Sequence, residues 1–157
     1  MRPSHAPLRL TTGAFILNSG LGKRGIDGES AAGLQGMAAG VIPQLGTVSP
    51  KTFAAGLSTG EIALGAALLA PMVSPVVAGA ALTAFGAGLV RLYWVTPGMH
   101  EEGSPKPTMA GIGLAKDVWL VGAGLTLLMD GLATGARRTG RTAAKKTRKA
   151  VSAVTPG

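Results

Sequence analysis

The sequence has no cysteine, few charged residues and few aromatic residues. Charged residues make up 14% and aromatic residues 4% of its 157 positions, whereas a soluble domain carries about 25% charged residues. The lack of cysteine excludes disulfides, thiolate chemistry and cysteine-ligated metal sites. Because 46% of the residues are hydrophobic, the shortage of charge indicates that much of the chain lies in lipid rather than in water.

The charges that are present are unevenly placed along the chain. No charged residue lies between Glu61 and Arg91, an interval of 29 residues, and about 20 apolar residues are enough to cross the core of a bilayer. Pro71, Ser74 and Pro75 divide this interval, and proline favours the first turn of a new helix. The pattern therefore predicts two membrane-spanning helices joined by a tight turn.

Two further apolar segments flank this hairpin, so the predicted fold is all-α, an integral membrane four-helix bundle over residues 1–130. Within the Gly-rich stretch after the first segment, Ser30 to Val41 are predicted to form a short helix that lies against the bundle or in the membrane interface. A loop with three prolines precedes the last segment. The predicted spans cover about 8–22, 52–72, 75–95 and 109–129.

Residues 131–157 form a basic tail, which we predict to be partly disordered. Lys and Arg are retained preferentially in the cytoplasm, so the tail is cytoplasmic, and four spans place the N-terminus there too. The tail fits anionic lipid headgroups, each basic residue contributing about 1 kcal/mol near the surface. Nucleic acid is the weaker alternative, because the tail is tethered to a bilayer and lacks interleaved aromatic residues. Its basic residues are Arg137, Arg138, Arg141, Lys145, Lys146, Arg148 and Lys149.

A small set of polar residues falls within the outer half of the predicted spans. An ionisable side chain in hydrocarbon is costly unless it is paired or hydrated. We therefore expect Glu61 and Asp117 to meet Arg91, Lys116 or both in a polar pocket that opens outward. The alternative is that these side chains only join helices or extend to the interface. The full intramembrane set is Asn18, Glu61, Arg91, Lys116 and Asp117.

Glu61 is the best candidate for a catalytic residue, since it is the most deeply placed carboxylate. No metal site is predicted, because His5 and His100 fall on opposite sides of the membrane in this topology. No Ser, His and Asp arrangement for hydrolysis can be placed. Several G-x-x-x-G pairs, such as Gly56 to Gly60, predict close helix packing inside the bundle or against a partner, including a second copy of the chain.

Three segments resemble the DoxX-like family of small bacterial membrane proteins. They are LRLTTGAFILNSGLGK from Leu8 to Lys23, GEIALGAALL from Gly60 to Leu69, and KDVWLVGAGLTLL from Lys116 to Leu128. The resemblance implies a four-helix bundle in the bacterial plasma (inner) membrane, linked to quinone or thiol redox chemistry beside a separate catalytic protein. The basic extension after Asp130 departs from the family pattern, and the missing cysteines argue against a sulfur relay.

Two functions follow from the residues and the resemblance together. The first is a non-catalytic membrane subunit or anchor of a redox or cell-envelope complex, with other membrane or membrane-associated proteins as partners. The alternative is a quinone-linked membrane oxidoreductase component in which Glu61 handles a proton, which requires burial to raise its pKa. The residues alone identify no cofactor, and quinone is implied only by the resemblance. A transporter is disfavoured by the lack of an inverted repeat.

Overall fold

The computed structural model describes the backbone of residues 3–154 and the side chains of residues 4–137, 139, 141, 142 and 145. Within that range the chain is all-helical, and its only β-type pairing is one bridge between His100 and Pro107. Short 3-10 turns precede the first and third α-helices. The α-helices are α1 (Ala6–Gly22), α2 (Gly28–Val41), α3 (Pro50–Leu69), α4 (Pro75–Val95), α5 (Ile112–Ala115) and α6 (Val118–Val154), and the 3-10 turns are Pro3–His5 and Pro43–Thr47.

The helices of the predicted hairpin begin where serine and proline occur together. Ser49 and Ser74 are the N-cap residues of α3 and α4, and each side chain accepts a hydrogen bond from a backbone N–H in the first turn. Proline follows each serine at a position that needs no N–H donor. Asp27 caps α2 in the same way, and its hydrogen bonds from Ser30 lower the pKa of the Asp27 carboxyl.

The bundle consists of two antiparallel helix pairs, α1 with α3 and α4 with α6. Glycine allows the backbones to touch in both pairs. A Cβ atom on Gly65 of α3 would lie 2.6 Å from the backbone nitrogen of Leu17 on α1, and one on Gly79 of α4 would lie 2.5 Å from that of Leu128 on α6. The pairs meet around one apolar core of Ile16, Leu64, Leu68, Ala78, Leu82, Leu120, Ala123 and Leu127.

Polar contacts close one end of the bundle, which we call the arginine end. Arg9 is 0% exposed. Its guanidinium donates to the carbonyls of Leu68 at 2.7 Å, Val73 at 3.0 Å, Ala67 at 2.9 Å and Ala70 at 2.8 Å. These carbonyls belong to the last turn of α3 and the α3–α4 turn, where the end of a helix leaves carbonyls without an intrahelical donor. Arg9 therefore fastens the start of α1 to the α3–α4 turn.

Three helical segments are long and apolar enough to cross a membrane. They are α3, α4 and the segment Ile112–Arg137, which is 26 residues long and joins α5 to the first part of α6. With 17 residues, α1 is shorter than these three, although the sequence predicts a span at 8–22. The predicted spans at 52–72 and 75–95 correspond to α3 and α4.

The last helix differs from its prediction at both ends. The span predicted at 109–129 begins with the short α5, and the chain turns at Lys116 and Asp117 before α6 starts. At the other end α6 continues without a break to Val154, through the region expected to be a partly disordered tail. Ala, Lys and Arg are strong helix formers, which explains why the helix persists beyond the apolar segment.

Candidate ligand-binding chamber

A cavity of about 530 Å³ lies at the end of the bundle opposite the arginine end. We call it the chamber. Its volume falls within the range of about 300–1,000 Å³ that is usual for small-molecule sites. All six α-helices contribute to its wall or border it. Its main apolar lining residues are Phe15, Ile16, Leu34, Met37, Phe53, Leu57, Phe85, Leu89, Leu92, Leu114 and Leu120.

An ion pair lies in the apolar wall of the chamber. Lys23, at the end of α1, donates from Nζ to the Glu61 Oε2 at 2.8 Å and to the Ser19 hydroxyl at 2.7 Å. Glu61 is 5% exposed. Because a buried carboxylate is costly without a counter-charge, the lysine is what allows Glu61 to remain in this wall.

Lys23 is the partner that the sequence prediction did not identify. The predicted partners of Glu61, Arg91 and Lys116, are both exposed. Neither of them is among the residues that line the chamber. Lys23 meets Glu61 because α1 and α3 are antiparallel, as the hydrogen bond from Ser58 to the Gly20 carbonyl also shows.

Of the five predicted intramembrane polar residues, two line the chamber. Glu61 and Asp117 do so from different helical segments. Asn18 is exposed on α1, as Arg91 and Lys116 are on their own segments. Arg91 borders a separate shallow surface pocket beside Trp94. Both carboxylates therefore line one cavity, together with Lys23 from the end of α1.

The chamber is closed on the side that faces the apolar core. Leu68, Leu82 and Leu127 are each 0% exposed and fill the space between the helices on the way to the arginine end. At the arginine end, Arg9 donates to carbonyls of the α3–α4 turn. There His5 Nε2 also lies 2.8 Å from Asp130 Oδ2 and joins the start of α1 to α6. The described residues thus form a pocket, not a continuous passage.

The short helix α2 forms one side of the chamber. The Gln35 side chain is buried and its Nε2 donates to the carbonyls of Leu45, at 2.8 Å, and Val48. These bonds hold the Pro43–Thr47 turn against α2, so that Ile42 and Leu45 also line the cavity. The helix α2 therefore packs on α3 and α4, which corresponds to the predicted placement against the bundle.

The aromatic residues at the end of α4 organise the loop over residues 96–108, which we call the outer loop because the sequence predicts that it faces outward. The buried Tyr93 donates its hydroxyl to the carbonyl of Pro105 at 2.8 Å. Trp94 is 50% exposed, and its ring centre lies 5.0 Å from that of His100. His100 is thus part of a loop contact at the opposite end from His5.

The basic extension of α6 is only partly described. Arg137, Arg141 and Lys145 are exposed and recur every four residues, which aligns them along one side of the helix. The other residues predicted to bind headgroups have side chains outside the part of the chain that the structure describes. They are Arg138, Lys146, Arg148 and Lys149.

Removing the lysine of the chamber wall should destabilise the fold. In Lys23→Met the Glu61 carboxylate loses its counter-charge, and we expect the free energy of unfolding to fall by about 2–3 kcal/mol, less than for a fully buried pair because Lys23 is partly exposed. The double variant Lys23→Met with Glu61→Gln should recover most of this loss. Denaturant unfolding in detergent measures both, and equal stability of Lys23→Met and the native protein would contradict the assignment.

Comparison with models of protein families, with curated proteins and with solved structures finds no match to this chain. The geometry of the chamber is therefore the basis for assigning a function.

Proposed function

We propose that this protein is a DoxX-like four-helix integral membrane protein that holds a hydrophobic small molecule in its chamber. In this proposal it is a non-catalytic subunit or anchor of a redox or cell-envelope complex in the bacterial plasma membrane. The observation that carries the proposal is the apolar cavity of about 530 Å³ with the Lys23–Glu61 pair in its wall. Cavities of this size and lining are the usual sites of small-molecule binding.

The packing of α1 supports a fourth helix in the membrane. α1 lies along α3 from Arg9, which bonds to Leu68, to Gly20, which accepts from Ser58. If α3 crosses the bilayer, α1 occupies the same slab, and 17 residues is the lower limit of length for crossing. Large apolar side chains also cover its outer face, with Leu10 51% and Leu21 47% exposed. Such an apolar surface favours contact with lipid.

The state of Glu61 favours binding over catalysis. Its carboxylate is already hydrogen-bonded by Lys23, and the described residues that line the chamber include no histidine. A general base must come within hydrogen-bond reach of the proton that it removes, and in this structure the Glu61 Oε2 is held by Lys23. The closed arginine end also argues against transport, because alternating access requires a route to both sides of the membrane.

One geometric feature favours the quinone-linked alternative. A quinone has an apolar tail and two carbonyl oxygens, and the chamber offers an apolar lining with the Lys23 ammonium at its wall. Lys23 would donate a hydrogen bond to a quinone oxygen, and Glu61 would pass a proton to or from that oxygen while the separate catalytic protein of the complex delivered or accepted the electrons. For this role the Glu61 carboxylate must leave its contact with Lys23 and contact the ligand instead.

The proposed orientation places the arginine end in the cytoplasm. The α3–α4 turn, the start of α1 and the basic extension of α6 all lie at that end. Exposed Arg137, Arg141 and Lys145 would then meet the cytoplasmic leaflet, where each contributes about 1 kcal/mol with anionic lipid. Partner proteins would bind the outer faces of the bundle or this extension.

A substitution that fills the chamber tests the proposal. Gly88 lines the cavity, and a Cβ atom added there meets no atom within 4 Å. Gly88→Leu should therefore fold normally but lower the affinity for an uncharged naphthalene dye, and for a short-tailed benzoquinone, by at least about tenfold. Binding is followed through Trp119 emission in a Trp94→Phe background, in phosphatidylcholine nanodiscs.

The matched control is Gly122→Leu, because Gly122 also has open space around it but lies outside the chamber lining. It should bind both probes as the native protein does. Equal binding by both leucine variants would refute a ligand site in the chamber. Loss of quinone-dependent turnover in a Glu61→Gln variant that still folds and assembles would instead establish the quinone-linked alternative.

A further inference from the structure

The ionisable groups of the chamber do not balance in charge. Its lining contains one ammonium, Lys23, and two carboxylates, Glu61 and Asp117. The sum is one net negative charge in a mostly apolar wall. In such surroundings a single charge interacts more strongly with a ligand than it would in water.

The two carboxylates differ in what they contact. The Glu61 carboxylate is occupied by Lys23 at 2.8 Å, and the same ammonium is shared with Ser19. The Asp117 carboxylate has no hydrogen-bond or ion-pair partner among the side chains that the structure describes. The adjacent Lys116 is exposed and forms no ion pair with it. Asp117 is thus the open acceptor of the chamber.

The position of Asp117 makes it accessible to a ligand in the cavity. It lies in the short break between α5 and α6, is only half-buried, and borders the cavity beside Leu114 and Leu120. A ligand could therefore place an apolar chain among the leucine and phenylalanine side chains while its polar head contacts the carboxylate. A charged acceptor strengthens such a hydrogen bond about twofold over a neutral one.

We infer that the chamber selects lipophilic molecules whose polar head is a cation or a hydrogen-bond donor, above all a primary ammonium, which docks on Asp117. An anionic head would face two carboxylates and would have to compete with Glu61 and Ser19 for the Lys23 ammonium, so it is disfavoured. This inference rests on the proposed function, because it assigns the chemical class of the ligand for the same chamber.

Four molecules with the same dodecyl chain separate charge from hydrogen bonding. Dodecylamine supplies both a cation and donors, dodecyltrimethylammonium only a cation, dodecanol only a donor, and dodecanoate an anion. Each is titrated into two proteins in phosphatidylcholine nanodiscs. One carries only Trp94→Phe, and the other carries Trp94→Phe together with Gly88→Leu. Trp119 reports occupancy, since its ring lies 6.5 Å from that of Phe15 in the chamber wall. The difference between the two proteins removes partitioning into the lipid.

We expect dodecylamine to bind tightest and dodecanoate weakest, at least about tenfold apart. Asp117→Asn should abolish most of that preference. The control Glu102→Gln, which removes an exposed carboxylate in a loop, should leave the preference unchanged. Equal or tighter binding of dodecanoate, or an unchanged preference in Asp117→Asn, would overturn the inference. Should Asp117→Asn fail to fold, the order of the four heads on the native chain decides the matter. If no molecule shows saturable binding above Gly88→Leu, the chamber proposal itself fails.

Discussion

Replacing Arg9 with methionine should lower the free energy of unfolding by about 3–5 kcal/mol. The guanidinium donates to the carbonyls of Ala67, Leu68, Ala70 and Val73 at the arginine end. Of these, the Ala70 carbonyl keeps a second donor, the Val73 N–H, whereas each buried acceptor left without a donor costs about 1–3 kcal/mol. Methionine fills part of the volume but donates no hydrogen bond, so the loss measures the polar contacts. Denaturant unfolding followed by helical circular dichroism in detergent gives the value.

Two further substitutions separate this role from a general effect of charge. Arg9→Lys should lower the free energy of unfolding somewhat less than Arg9→Met does, because the ammonium still donates to some of these carbonyls. It should not restore the native stability, because an ammonium cannot reproduce the planar set of donors that spans them. Arg24→Met, at an exposed position, should change stability by no more than about 0.5 kcal/mol. If Arg9→Met were as stable as Arg24→Met, Arg9 would not be the fastener of the arginine end.

Adding a single methyl group at Gly79 should separate α4 from α6. A Cβ atom there would lie 2.5 Å from the Leu128 nitrogen and 2.7 Å from the Gly124 oxygen. Both are backbone atoms, so the two helices must move apart for the methyl group to fit. We expect Gly79→Ala to cost about 2–3 kcal/mol, the range for overpacking a tight core.

Gly88→Ala is the matched control for this substitution, because it lies on the same helix and its added Cβ meets no atom within 4 Å. It should be neutral or stabilising by up to about 1 kcal/mol, since alanine favours helix over glycine. Thermal unfolding of the two variants in one detergent compares them directly. Equal midpoints would show that α4 and α6 do not approach as closely as the structure indicates.

Local signals in the sequence predict the helices well. Ser49 with Pro50 and Ser74 with Pro75 mark the starts of α3 and α4, because hydrogen-bonded caps depend only on neighbouring residues. Local preference also accounts for the length of α6 beyond the end of the predicted span. The apolar pattern stops near Asp130, but the local preference of Ala, Lys and Arg for helix continues beyond it.

The rotation of each helix about its own axis is not predictable from those signals. Arg91 and Lys23 are both near helix ends, and only the antiparallel pairing of α1 with α3 selects Lys23 for Glu61. Arg9 likewise resembles a topology signal near the N-terminus, whereas the structure buries it completely. Long-range contacts of this kind, such as Arg9 with Leu68, join residues that no local pattern relates.

The glycine pattern shows which spacing matters for packing. Gly56 and Gly60, one of the predicted G-x-x-x-G pairs, have no atom within 4 Å of an added Cβ. The glycines in close contact recur instead at intervals of seven along α1, α4 and α6, two turns apart on one side of the helix. These pairs are Gly13 with Gly20, Gly79 with Gly86, and Gly124 with Gly131.

Placement of the α3–α4 turn and the outer loop on opposite sides of a membrane is the claim on which the chamber proposal most depends. The chain has no cysteine, so one introduced cysteine is its only thiol. Met72 in the turn and Met109 in the outer loop are each 88% exposed and suit Met72→Cys and Met109→Cys. In cells with intact plasma membranes, a membrane-impermeant maleimide should label Met109→Cys at once and Met72→Cys only after permeabilisation. Labelling of both from the same side would contradict the account.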